Sequence, residues 1–171
     1  MKIVKRIFII SLIVIFVLPI ISYIGIVVTN NSIADKIKES GFPAIVGPDL
    51  TARSKPEVQY MNFKTNKVLQ EAGVLFSITT DHPVSMIHYL PLCAGLAVKH
   101  GLPMEEGLKA ITINGARICR VDDRVGSLKV GKDADISIFS GNPMEVFTKT
   151  LYTIIDGKIV YEYKLEDADD L

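Results

Sequence analysis

Val74-Leu75-Phe76-Ser77-Ile78-Thr79-Thr80-Asp81-His82-Pro83 decides the architecture. An uncharged run rich in aliphatic, aromatic and β-branched residues opens directly after Gly73 and closes in a polar Thr-Thr-Asp-His-Pro turn. That is the pattern of a strand. Just upstream, Asn66 to Ala72 has helical texture with Gly73 as its stop. Further upstream, Phe42-Pro43-Ala44-Ile45-Val46-Gly47-Pro48 reads as a second short buried strand ended by a Gly-Pro breaker. It follows a short helix over Ser32 to Gly41, with Ile33 and Ile37 on one face. Strands alternating with helices imply parallel pairing, and a parallel sheet needs helices on its faces. Helices over Ile87 to His100 and over Pro103 to Cys119, the latter with Pro103 in its first turn, are available to cover it.

The chain changes character after Cys119. Gly126 to Asp135 is turn-rich, Ile136-Ser137-Ile138-Phe139 reads as a strand, and Leu151 to Tyr161 reads as a hairpin turning on Asp156-Gly157. The final segment, Glu162 to Leu171, carries five acids against Lys164 and reads as a solvated tail.

Composition narrows the function classes. The 171 residues include 19 basic and 19 acidic side chains, so there is no net field to attract nucleic acid. A hydrophobic content of 49% argues against disorder. Cys93 and Cys119 show neither CxxC nor paired Cys/His spacing, which gives no disulfide framework and no zinc knuckle. Both lie in helical stretches and are expected to be buried, inert thiols.

The mean hydropathy of +0.32 is high for one soluble domain, and the excess lies in Ile7 to Val28, an uncharged apolar stretch preceded by Lys2, Lys5 and Arg6. Its length suits one crossing of a ~30 Å hydrocarbon core. The basic flank predicts a single-pass membrane protein with a cytoplasmic N-terminus. Ser32-Ile33-Ala34 has residues suited to signal cleavage, but the apolar stretch exceeds the usual ~7–15 residues of a signal peptide. A buried, β-branched stretch in a soluble core, leaving the protein cytoplasmic, is the remaining alternative.

Two further stretches carry a resemblance. Thr112-Ile113-Asn114-Gly115-Ala116-Arg117 is followed by Asp123-Arg124-Val125-Gly126-Ser127-Leu128-Lys129-Val130-Gly131-Lys132-Asp133-Ala134-Asp135-Ile136. Together they resemble the closing signature of the metal-dependent amidohydrolases, in particular the imidazolonepropionase-like branch. Thr79 to Val84 resembles the segment after the eighth barrel strand, and Val46-Gly47-Pro48 with Arg53 to Glu57 resembles the seventh strand and its loop. The resemblance covers Ser32 to Tyr161 and corresponds to the last part of a full-length enzyme. It implies an α/β fold holding the last two strands of a (β/α)8 barrel and their helices, plus a small C-terminal β-sandwich element; the apolar stretch adds one transmembrane helix in front of them. The expected organisation is an anchor over 1–30, partial barrel over 31–120, β element over 121–161 and acidic tail over 162–171.

The same resemblance implies a divalent metal, zinc foremost, and assigns Asp81 as the inherited metal-ligand position that also takes the proton from the attacking water. The bland alternative is a turn aspartate. His82 is a weaker candidate ligand; it and His88 are otherwise solvated residues near the site. Arg53, Ser54 and Lys55 fall where a full barrel places substrate contacts, or form an exposed basic loop. His100 suits a helix end. The family's His-x-His and its other ligands have no counterpart, the only histidines being His82, His88 and His100. Gly115 stands where the family usually has Pro, and Arg120 where it commonly has a helix-ending Gly.

These features predict an amidohydrolase-type protein acting on non-peptide, cyclic-amide C–N bonds, read as a truncated chain inactive in isolation. Two rivals are a non-catalytic, membrane-tethered interaction module and one half of a split enzyme, whose partners would be lipid and a second chain, or another copy, completing the barrel.

Overall fold

The computed structural model describes residues 33–52 and 55–164. Helix α1 covers 33–40 and leads through Gly41 into β1 (Ala44–Val46). After a 3₁₀ turn at Pro56–Val58 come α2 (Thr65–Glu71) and β2 (Phe76–Ile78). β1 and β2 pair in parallel with Ala44, Ile45 and Val46 opposite Phe76, Ser77 and Ile78. A second 3₁₀ turn, Ile87–Tyr89, runs into α3 (Leu90–Lys99), followed by α4 (Met104–Ala110) and α5 (Ile113–Ile118).

β2 is the spine of the core. Phe76 and Ile78 are buried against Leu69 of α2, Cys93, Ala94 and Ala97 of α3, and Ala110 of α4. The expected single helix over Pro103 to Cys119 is broken at Ile111-Thr112. Thr112 leaves helical geometry at φ −133°, ψ −98°, and its hydroxyl donates back to the Leu108 carbonyl at 2.6 Å. The break turns α5 so that the buried Asn114 amide donates to the Phe76 carbonyl at 3.0 Å.

The C-terminal part is a three-stranded antiparallel meander, β3 (Ile136–Phe139), β4 (Thr150–Ile155) and β5 (Lys158–Glu162). Its hairpin turns on Asp156 and Gly157, both at positive φ (50° and 72°), the geometry that Asp-Gly favours. Asp135 Oδ1 accepts the Asp156 N–H at 3.0 Å, and Lys132 Nζ donates to the carbonyls of Asp122 and Val125. Arg124 pairs with Asp133 at 2.6 Å. The signature residues from Arg124 to Asp135 thus fix turns. The loop between β3 and β4 returns Met144 to the core of the first unit.

The structure corrects the expected membrane architecture. Among the described residues no helix is long and apolar enough to cross a membrane. The longest of them, α3, has 10 residues, or roughly 15 Å at ~1.5 Å per residue, half of a ~30 Å core. The fold is therefore a partial α/β unit with a small β element and no membrane-crossing helix in the described part. The single-pass placement built on such a helix has no support there, and Ile7 to Val28 lies outside the described residues. A second correction concerns Cys119, which is exposed at the end of α5 while Cys93 is buried as expected.

Candidate active site

The two parallel strands end side by side, and their following loops are tied together. Thr79 N–H donates to the Val46 carbonyl at 2.8 Å, extending the pairing one residue past β2. Gly47, at φ +140°, lies so close beneath that a Cβ there would sit 2.1 Å from the Thr79 carbonyl oxygen. Ser85, itself buried, donates its hydroxyl to the Leu50 carbonyl at 2.8 Å and its N–H to the Thr80 carbonyl at 3.2 Å.

Within that clamp Asp81 is held by its backbone. Its N–H donates to Thr79 Oγ1 at 3.1 Å, and its carbonyl accepts the Val84 N–H at 2.9 Å. Its φ of +50° lies in the left-handed region, which Asp enters more readily than most residues. Asp81 and His82 are both exposed, in the turn that follows the strand's C-terminal end. His88 is exposed and tilts 59° against the Tyr89 ring, 4.2 Å away. Lys55 is exposed at the start of the Pro56–Val58 turn; Arg53 and Ser54 lie outside the described residues. His100 ends α3 and stacks on Phe63 at 5.3 Å, a packing role.

The strand register exposes a residue that the sequence reading missed. Val46 stands opposite Ile78, so Asp49, three residues past the end of β1, matches Asp81, three residues past the end of β2. Their environments differ. Asp49 is buried, and burial pushes its carboxyl above the ordinary aspartate range, a shift partly offset by Asn66 beside it. Asp49 Oδ2 and both side-chain polar atoms of the buried Asn66 have no well-formed hydrogen bond. Cys93 shares this pocket of polar groups: burial, and secondarily the charge of Asp49, raise its thiol. The signal was present in the sequence, since Gly47-Pro48-Asp49 follows one strand as Thr79-Thr80-Asp81 follows the other.

A catalytic zinc takes about three protein ligands. Among the described residues no group of three or more His, Cys, Asp or Glu side chains could hold a metal ion. The described residues thus do not fit a metal on their own; they supply one accessible carboxylate at the correct end of a parallel sheet.

Comparison with known proteins decides the family. The sequence model of the amidohydrolase family matches residues 26–160. The chain belongs to the amidohydrolase family. The match begins inside the apolar stretch, so Ile26, Val27 and Val28 fall within it. The chain is 31% identical to the imidazolonepropionase of Picrophilus torridus over 139 residues, 79% of this chain and 33% of that protein. It is 26% identical to the imidazolonepropionase of Fusobacterium nucleatum over 143 residues, 74% of this chain and 34% of that one. The crystal structure of an amidohydrolase from Thermotoga maritima superposes with a TM-score of 0.75 at 34% identity, over 78% of this chain and 35% of that one. The chain thus spans about a third of the length of the relatives it matches.

Proposed function

We propose that this chain supplies the final strand ends and the closing β element of an amidohydrolase that hydrolyses a non-peptide, cyclic-amide C–N bond, with Asp81 as its carboxylate. The observation that carries this reading is the placement of Asp81: exposed, at the C-terminal end of a parallel strand, with its backbone fixed by Thr79 and Val84. The substrate class follows the relatives named imidazolonepropionase. Amidohydrolases generally use divalent metals, and such an ion would polarise the scissile carbonyl. The ligands completing its site come from outside the described residues. Asp81 takes a proton from the attacking water, and the exposed Lys55 supplies a substrate contact.

Zinc and manganese titrations of the full chain test the incompleteness of the site. The expected result is no tight binding, with the Asp81→Asn variant indistinguishable from the parent. Micromolar binding abolished in Asp81→Asn, together with turnover of a cyclic amide by the chain alone, would show that it assembles a whole site by itself.

A second reading, a non-catalytic interaction module, draws on one observation: every residue of the edge strand β5 is exposed.

A further inference from the structure

Asp49 in the loop after β1, Asn66 in the first turn of α2 and Cys93 in α3 bring three elements together in the interior, at 8%, 0% and 0% exposure. Asp49 Oδ2 and both polar atoms of the Asn66 side chain are sealed from solvent without a well-formed hydrogen bond. A carboxylate buried without a cation is costly, so such a group stays neutral or leaves the interior.

Among the described residues the surrounding elements supply no cation to it. β1 and β2 hold no titratable side chain. At α2, Lys64 is exposed and Lys67 pairs with Glu71 at 3.6 Å. On α3, Lys99 is exposed at the last position, which leaves Cys93 as the titratable group facing Asp49. Lys55 in its own loop, and Asp81, His82 and His88 after β2, are exposed. Burial and Asn66 alone act on the Asp49 carboxyl.

We propose that Asp49 is a pH-operated latch: as the neutral acid it seals the loop after β1 against α2 and α3, and as the anion it withdraws to water and carries Leu50 off Ser85. The consequence reaches Asp81 through two hydrogen bonds. The Leu50 carbonyl accepts the Ser85 hydroxyl at 2.8 Å, and Ser85 N–H donates to the Thr80 carbonyl at 3.2 Å, one residue before Asp81. Release of Leu50 therefore removes a brace from the turn that carries Asp81. Burial holds the Asp49 carboxyl above the ordinary aspartate range, so the latch is closed in acid and opens as pH rises through the folded value. The inference rests on the buried groups and not on the proposed reaction.

Cys93 reports the latch, because it is fully buried beside Asp49 and reacts only through an opening. In a Cys119→Ser background the full chain is labelled with an uncharged maleimide across a pH series and compared with Asp49→Asn, which stays neutral throughout. The thiolate fraction rises with pH in both chains, so the readout is the ratio of the parent rate to the variant rate. That ratio is expected to be near one at about pH 5 and to rise at least about threefold by about pH 8. The Asp49 charge raises the Cys93 thiol and would lower the ratio, so a rise reports opening. Amide exchange localises the motion. With rising pH the parent is expected to lose more protection, relative to Asp49→Asn, at Ser85 than at the buried Leu102, whose N–H donates to the Ala97 carbonyl at 3.1 Å. A ratio that does not change with pH, or equal loss of protection at Ser85 and Leu102, would overturn the proposal.

Discussion

The Asn114 side chain of α5 donates to the Phe76 carbonyl of β2 at 3.0 Å, and both residues are buried. This bond fastens the helix bearing the Thr-Ile-Asn-Gly-Ala-Arg motif to the strand whose end carries Asp81. Asn114→Leu leaves that carbonyl without its donor in the core. The expected cost is about 1–3 kcal/mol, read from urea unfolding of the full chain. Stability unchanged within error would show that the bond contributes nothing net.

Arg120 adopts φ +58° just past α5. The left-handed region costs a side-chain-bearing residue roughly 1–2 kcal/mol, and glycine gives back about half of that gain as unfolded-state entropy. Arg120→Gly is therefore expected to stabilise the chain by about 0.5–1 kcal/mol, a rise in Tm of a few degrees. A fall in Tm would mean that the Arg120 side chain contributes more than its backbone costs.

Much of this architecture could be read along the chain. The run from Val74 to Thr79 announces β2 because burial on both faces excludes charge, and Asp156-Gly157 announces its hairpin because few residue pairs tolerate two positive φ angles. The break at Thr112 was hidden, since Pro103 to Cys119 has an unbroken helical texture and the interruption depends on where α5 must meet β2. Asp49 was hidden for a related reason: burial is a property of packing, and a Gly-Pro-Asp turn reads as exposed. The apolar stretch invited a membrane reading because hydropathy measures transfer from water without naming the apolar phase that receives it.

Asp49 gives a pH dependence of defined sign. Its carboxyl titrates higher in the folded chain than in the unfolded one, because burial disfavours the anion. That contribution to stability is complete below the unfolded aspartate range and is lost as pH rises through the folded value. Asp49→Asn is expected to stabilise the chain at neutral pH by about 1 kcal/mol and to flatten the stability profile above the ordinary aspartate range. Thermal unfolding at stepped pH checks this; an unchanged profile would show that Asp49 is ionised and compensated in the folded state.

Gly47 controls how closely the two loops approach. An alanine methyl would lie 2.1 Å from the Thr79 carbonyl oxygen, on a backbone at φ +140°. Gly47→Ala is expected to cost about 1–3 kcal/mol and to displace Thr79, whose hydroxyl holds the Asp81 N–H. Faster hydrogen exchange at the Asp81 amide is the accompanying local readout. Full protection there would show that the turn does not depend on the approach.

The central claim is that Asp81 belongs to a hydrolase site which other ligands must complete. The most direct measurement joins this chain to the part of the Thermotoga maritima amidohydrolase that it does not match, about 65% of that protein, by co-expression. Zinc content and cyclic-amide turnover of the purified complex are then compared between Asp81 and Asp81→Asn. The account predicts metal uptake and turnover in the complex, absent from either part alone, with turnover lost in Asp81→Asn. A stable complex that binds zinc and turns over substrate equally well with Asn at position 81 would contradict it.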